Sequence, residues 1–227
     1  MESHNVSLEE FVQGQVDKWS AKKQFEGIDL PVITVSMEPG SRGSLMAQII
    51  AEKLGFDFFH RSIIREIAQS VKMSEKVIDS VEKNRFSGIE DLIASVVKRY
   101  YIHPDTYMVH LMKVVNTIAH HGRAVIVGRG ANFILSPEVR FSVRTVAPLS
   151  VRVKNMVETF GASPEETKKR VLRRESRRTA FIRQAYNEDV SDPLNYDMVI
   201  NTDNMSIECA TAAVIAAVRD CRRSTPS

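Results

Sequence analysis

Three groups of residues in this chain have types and spacings suited to chemistry on phosphate. The first is the turn Pro39-Gly40-Ser41-Arg42-Gly43-Ser44, between a β-branched run and an apolar helical period. The second is Arg129, held between Gly128 and Gly130 at the end of the apolar run Ala124–Val127. The third is the stretch from Lys168 to Arg183, where Lys168, Lys169, Arg170, Arg173, Arg174, Arg177, Arg178 and Arg183 face only Glu175. Phosphoryl transfer needs in-line positioning and positive charge on the transferring oxygens, with little covalent help. Arginine suits it, because a planar fork grips phosphate bidentately and keeps its charge. Arg170, Arg174 and Arg178 are spaced i, i+4, i+8 and so share a helix face.

The turn can be laid over the phosphate-loop pattern GxxxxGK[ST] from Met37 to Ser44. Ser44 falls on the serine that would contact Mg²⁺, or it caps its helix. Met37 and Arg42 stand at the two framing glycines, and Gly43 stands where the pattern has lysine. Gly40, Ser41, Arg42, Gly43 and Ser44 are therefore the candidate nucleotide-binding residues of a loop without its usual lysine. Arg42, one position away, is the candidate replacement for the lost charge.

The elements needed to position these groups follow from periodicity. Val32, Ile33, Thr34 and Val35 read as a buried strand. Leu45, Ile49, Ile50 and Leu54 mark the helix after the turn. Residues 55–59 suggest a second strand, and the pattern from Ser74 to His121 is helical almost throughout, with Ser74 as a candidate cap and a break at His103-Pro104-Asp105. Residues 123–130 and 139–146 read as strands, the latter with its arginines on one face. A helix follows from Leu149. Ser163, Pro164 and Glu166 form a strong start signal for the basic helix. Residues 197–202 and 206–218 supply a last strand and a last helix. Strands alternating with helices predict an α/β doubly wound parallel sheet with ligands at the carboxyl ends of its strands. Ahead of it, Ser7 with Glu10 opens an amphipathic helix that carries Leu8, Phe11, Val12, Val16 and Trp19 on one side. That helix is expected to pack on the main domain or on a second copy in a homo-oligomer. The expected organisation is residues 1–30 as helix and linker, 31–222 as one domain with a helical cap at about 60–121 and a lid at about 163–192, and 223–227 as a tail.

Composition narrows the class. The 227 residues are 43% hydrophobic and 26% charged, with a net charge of +3. No apolar run approaches the ~20 residues of a membrane span. The N-terminus lacks a basic segment followed by an apolar one, so no secretory signal is expected. Cys209 and Cys221 form neither a metal spacing nor a disulfide framework, which makes a reducing cytoplasm the expected compartment. The modest net charge and the lack of a nucleic-acid reading module argue against a nucleic-acid partner.

Taken in order, the strand–turn–helix, the segment V-I-V-G-R-G-A-N-F-I-L at 125–135 and D-P-L-N-Y-D-M-V-I-N-T-D at 192–203 resemble the nucleoside monophosphate kinases. Within these the nearest resemblance is to the cytidylate kinase-like family, whose members open I-T-[IV]-S-R-E-x-G-S-G-G, and it spans about Val32 to Val218. It implies a P-loop kinase fold with a helical acceptor-binding cap and an arginine-rich lid. It also implies ATP and Mg²⁺ as cofactors, Ser44 as the metal-contacting residue, and a CMP-like nucleotide or small phosphorylated acceptor as partner. In that family a strand-end G-R-D arginine touches the acceptor phosphate. Arg129 matches it, while Gly130 stands in place of the aspartate. Lid arginines clamp the phosphates, which assigns Arg174 and Arg178, with Arg42 and Arg129, to catalysis. Arg65 and Asp192 are the further candidates for substrate binding. Relatives often carry Tyr-Asp-Arg where this chain has Phe59-His60-Arg61, and an arginine where it has Met37. The lost lysine and the lost acidic partners leave a second expectation, a nucleotide- or anion-binding protein that keeps the fold without the catalysis.

Overall fold

The computed structural model describes residues 7–21, 30–80, 83–100 and 105–220. Most of the linker before the first strand, the His103-Pro104 break, Cys221 and the tail lie outside them. The chain opens with α1 (Leu8–Ala21), then β1 (Val32–Met37), α2 (Gly43–Leu54), β2 (Asp57–Phe59), α3 (Arg61–Gln69), α4 (Val71–Ile78), α5 (Lys83–Tyr100) and α6 (Thr106–His121). It continues through β3 (Ala124–Val127), α7 (Ala131–Ile134), β4 (Arg140–Val146), α8 (Leu149–Phe160), α9 (Pro164–Tyr186), β5 (Met198–Asn201) and α10 (Ile207–Asp220).

The strands form one parallel sheet in the order β2-β3-β1-β4-β5. The β-branched β1 lies at its centre, where a strand covered on both faces must be apolar throughout. On one face Ile33, Val35, Val125, Val127 and Val143 pack against Met46, Ile50 and Ala51 of α2 and Val214 and Val218 of α10. On the other, Val32, Phe59, Ala124 and Ile126 meet α3, α4 and α6 and the end of α9 through Ile64, Ile67, Val77, Leu111, Met112, Ile182 and Tyr186. The two cores sit either side of one sheet, the doubly wound layout expected from the alternation of elements.

Local rules explain most boundaries. Ser7 and Glu10 bond each other's backbone amides at 3.1 and 2.8 Å, as a capping box requires. Ser163 caps α9, with Pro164 in its first turn. Two readings change. The cap of α4 is Ser70, whose hydroxyl accepts from Met73 N, while Ser74 is buried and bonds Val71 O and His110. In α2 the buried side is Met46, Ala47, Ile50 and Ala51, and Leu45 is exposed. The short α7 was not visible as a helix in the sequence.

Helix α1 packs against its own chain. Val12 and Trp19 are buried, Trp19 stacks on His121 with ring centroids 4.0 Å apart, and Gln15 and Lys18 both bond the buried carboxylate of Asp57 on β2. These contacts attach α1 at the sheet edge formed by β2.

Candidate functional site

Parallel strands send all their carboxyl ends to one edge, and the candidate residues gather there. The turn after β1 is fixed from three elements. Ser41 is fully buried, and its hydroxyl donates to Glu38 O and lies 2.8 Å from Thr145 Oγ1 of β4. Asn155 of α8 donates to Gly40 O at 2.9 Å, and Thr202 beyond β5 donates to Ser41 O at 2.9 Å. The Ser41 side chain thus holds the loop in shape, and its amide is bonded to Glu38 O.

Helix α2 begins at Gly43 after Arg42 in the left-handed conformation, with no side-chain cap. The first amides of a helix have no partner within it, and an uncapped start turns them and the positive dipole end toward an anion. Ser44 sits in this first turn, half-buried, and its hydroxyl bonds no other described residue. Gly43 packs so closely on the sheet that a Cβ there would lie 2.2 Å from Thr145 Oγ1 and 2.7 Å from Met37 Cβ. The position that carries lysine in other phosphate loops has no room for a side chain. Arg42 reaches α8, where it pairs with Glu158 at 3.1 Å in an exposed contact.

Opposite the turn, guanidinium groups converge from four elements. Arg61 opens α3 after β2, Arg129 follows β3, Arg144 lies on β4, and the exposed Arg174 and half-buried Arg178 come from α9. Burial holds the Arg61 pKa below the ordinary arginine value, and the neighbouring charges of Arg174, Arg129 and Arg65 lower it further. Arg178 is pushed down to about 10, by burial first and then by Arg61 and Arg144. Its Nη1 is buried without a hydrogen-bond partner. Neither Arg61, Arg174 nor Arg178 forms an ion pair with a described carboxylate. The acids at this edge pair with Arg152 and Arg144, and Glu175 offsets only part of the shift at Arg178. Glu38 pairs with Arg152 at 3.3 Å and Arg144 at 3.8 Å and accepts from Ala147 N, and Glu175 pairs with Arg152 at 3.3 Å. The cluster is a half-buried excess of positive charge, which a ligand with several negative charges would neutralise.

Arg129 takes a left-handed φ of 57°. Its guanidinium lies 5.7 Å from the Phe181 ring centroid and reaches the Tyr107 hydroxyl at 3.5 Å, and its carbonyl accepts from Tyr186 at 2.8 Å.

The structure therefore gathers Arg129, Arg174 and Arg178 around Arg61. Arg65, one turn along α3 from Arg61, adds its charge at the margin of the cluster and is exposed beside Glu66. Asp192 caps the turn at Pro193–Asn195, where its Oδ1 accepts from Leu194 N. Sequence reading passed over Arg61, Arg144 and Arg152. Arg61 had a signal, an arginine directly after a short strand at the ligand edge of a parallel sheet. Arg152 had none, since its neighbours are Glu38 and Glu175, each remote in sequence.

A parallel sheet with a glycine-containing turn after its central strand and guanidinium groups along one edge has the fold of a P-loop kinase. Residues 32–204 match the model of the cytidylate kinase-like family, and the chain belongs to that family. The cytidylate kinase of Ignicoccus hospitalis is 25% identical over 186 residues, covering 82% of this chain and 97% of that one. The cytidylate kinase of Pyrococcus horikoshii is 28% identical over 191 residues, covering 84% and 89%. Among solved structures, an uncharacterized protein from Eubacterium ventriosum superposes with a TM-score of 0.67 at 19% identity over 84% of this chain and 98% of that one, a likeness of fold alone. Family and fold together are those of a nucleotide kinase. No helix among the described residues is long and apolar enough to cross a membrane.

Proposed function

We propose that the protein transfers the γ-phosphoryl group of ATP to a nucleoside monophosphate of the CMP type. The observation that carries this reading is the buried, unpartnered Nη1 of Arg178 among the like charges of Arg61 and Arg144. An arrangement this unfavourable in the free protein favours a polyphosphate strongly, and most of all one whose charge grows on three equatorial oxygens during transfer. In this reading the amides at the start of α2 hold the donor phosphates, Arg174 and Arg178 close over the transferring group, and Arg129 with Arg61 binds the acceptor phosphate. Ser44 fits the single protein oxygen that Mg²⁺ takes when phosphates and water supply its other ligands. No group of three or more metal-ligating side chains lies among the described residues. When bound, Mg²⁺ would neutralise charge on the β- and γ-oxygens.

A second reading has its own support. Position 43 has no space for a lysine, and Arg42 is paired with Glu158. The same fold would then bind nucleotide without transferring phosphate. Incubation with ATP, Mg²⁺ and each nucleoside monophosphate, followed by chromatography, separates the two. Diphosphate from a pyrimidine acceptor, lost in Arg129→Ala, is the expected result. Thermal stabilisation by ATP with no diphosphate from any acceptor would establish the second reading.

A further inference from the structure

The lid helix α9 runs unbroken for 23 residues, and its last turns reach the turn after β3. Tyr186, fully buried, stacks on Phe133 with ring centroids 5.3 Å apart and donates its hydroxyl to Arg129 O at 2.8 Å. A Cβ at Gly130 would lie 2.2 Å from Tyr186 Cε2, so the ring fills the volume of any side chain at that position. The space beside Gly130 belongs to a tyrosine from the lid. On the other side of the turn, the Phe181 ring lies 5.7 Å from the Arg129 guanidinium. Arg129 adopts a φ of 57°, a region that a side-chain-bearing residue occupies only when its surroundings hold it there. The helix that carries Arg174 and Arg178 thus also grips Arg129, by its carbonyl and beside its guanidinium.

We propose that Tyr186 is a positioning residue for the acceptor side of the reaction. Its hydroxyl fixes the left-handed turn that aims Arg129, and Phe181 limits the sweep of the guanidinium. The placement of the lid helix thereby sets acceptor affinity. This rests on Arg129 being the acceptor-phosphate ligand, as proposed above.

Tyr186→Phe keeps the ring and deletes the hydroxyl alone. Acceptor and ATP are titrated separately, as KM in turnover and as Kd by calorimetry with CMP and a non-hydrolysable ATP analogue. The expected result is a loss of acceptor affinity of about tenfold, because the released turn no longer holds the guanidinium in its binding pose, with ATP affinity changed less than about twofold. Phe181→Leu is expected to act in the same direction. In an Arg129→Ala background Tyr186→Phe should have no further effect on the acceptor, because there is no guanidinium left to aim. A merely structural role would lower Tm and weaken both ligands alike, and that outcome overturns the proposal, as does a Tyr186→Phe effect that multiplies with Arg129→Ala. If Arg129→Ala weakens acceptor binding and Tyr186→Phe does not, the positioning role alone is wrong. If Arg129→Ala leaves the acceptor untouched, the acceptor assignment of Arg129 fails and the proposal with it.

Discussion

Replacing Arg178 with methionine should make the free protein more stable while removing its response to ligand. The reasoning starts from the pKa of Arg178, pushed well below the ordinary arginine value to about 10 by burial and by Arg61 and Arg144. At about 1.4 kcal/mol per tenfold, that displacement corresponds to roughly 3 kcal/mol of unfavourable free energy for keeping the group charged in the folded state. Methionine retains an apolar stem of similar reach, carries no charge and leaves no buried N–H unpaired. Part of the gain is offset by lost contacts, so a net stabilisation of about 1–2 kcal/mol is expected, seen as a Tm higher by about 2–8 °C for a chain of this length. The same substitution removes the charge that a phosphate would neutralise. Urea denaturation with and without saturating ATP and Mg²⁺ reads both effects. Wild type should gain stability from the ligand, by an amount set by concentration over Kd, and Arg178→Met should gain far less. A variant less stable than wild type would refute the claim that Arg178 is held at a cost. A variant with full ligand stabilisation would refute its place in the phosphate site.

Three further outcomes are expected. Gly43→Ala should destabilise by about 2–3 kcal/mol through the collision with Thr145 Oγ1 and Met37 Cβ, and Gly43→Lys should fail to restore a phosphate-loop lysine; adding Thr145→Ala should recover only part of the loss in a denaturation assay, since Met37 stays in place. The His60 pKa is lowered from 6.5, by burial first and then by Arg61. Its contribution to stability is present above the unfolded value near 6.5 and is lost as pH falls through the lower folded value, because the unfolded chain takes up the proton more readily. His60→Asn, which keeps a capping acceptor for α3, should flatten the fall in Tm between about pH 6.5 and 5. Trp19→Ala should cost about 3–5 kcal/mol by emptying the contact with Phe59 and His121, with acceptor and ATP KM unchanged, since that contact involves none of the clustered arginines.

What the sequence by itself determined is what repeats over short distances. The β-branched run of β1, the signal Ser163-Pro164-Glu166 and the i, i+4, i+8 ridge of Arg170, Arg174 and Arg178 are local patterns, and each appears in the structure where the pattern puts it. With parallel strands implied by alternation, the carboxyl edge of the sheet was legible as the place where the candidate residues gather, and so was the position of Arg129 upon it. Only the tertiary structure decided which charges meet. Arg61 and Arg65 are one turn apart on α3 and indistinguishable by type, and packing half-buries Arg61 among the charges of Arg174, Arg129 and Arg65 while Arg65 itself stays exposed. Gly43 reads as a glycine at the lysine position of a phosphate loop, and only the fold, with β4 bringing Thr145 across 102 positions of sequence, shows that no side chain fits there. Arg42 stands next to the position of the missing lysine in the sequence, and only the fold shows that Glu158 of α8 is its partner. Tyr186 carries no motif, and its role follows from a strand-end turn 57 residues earlier being folded against it. Helix and strand periods are written in neighbouring residues, whereas the field at the site is a sum over residues that only the folded chain brings within a few ångströms.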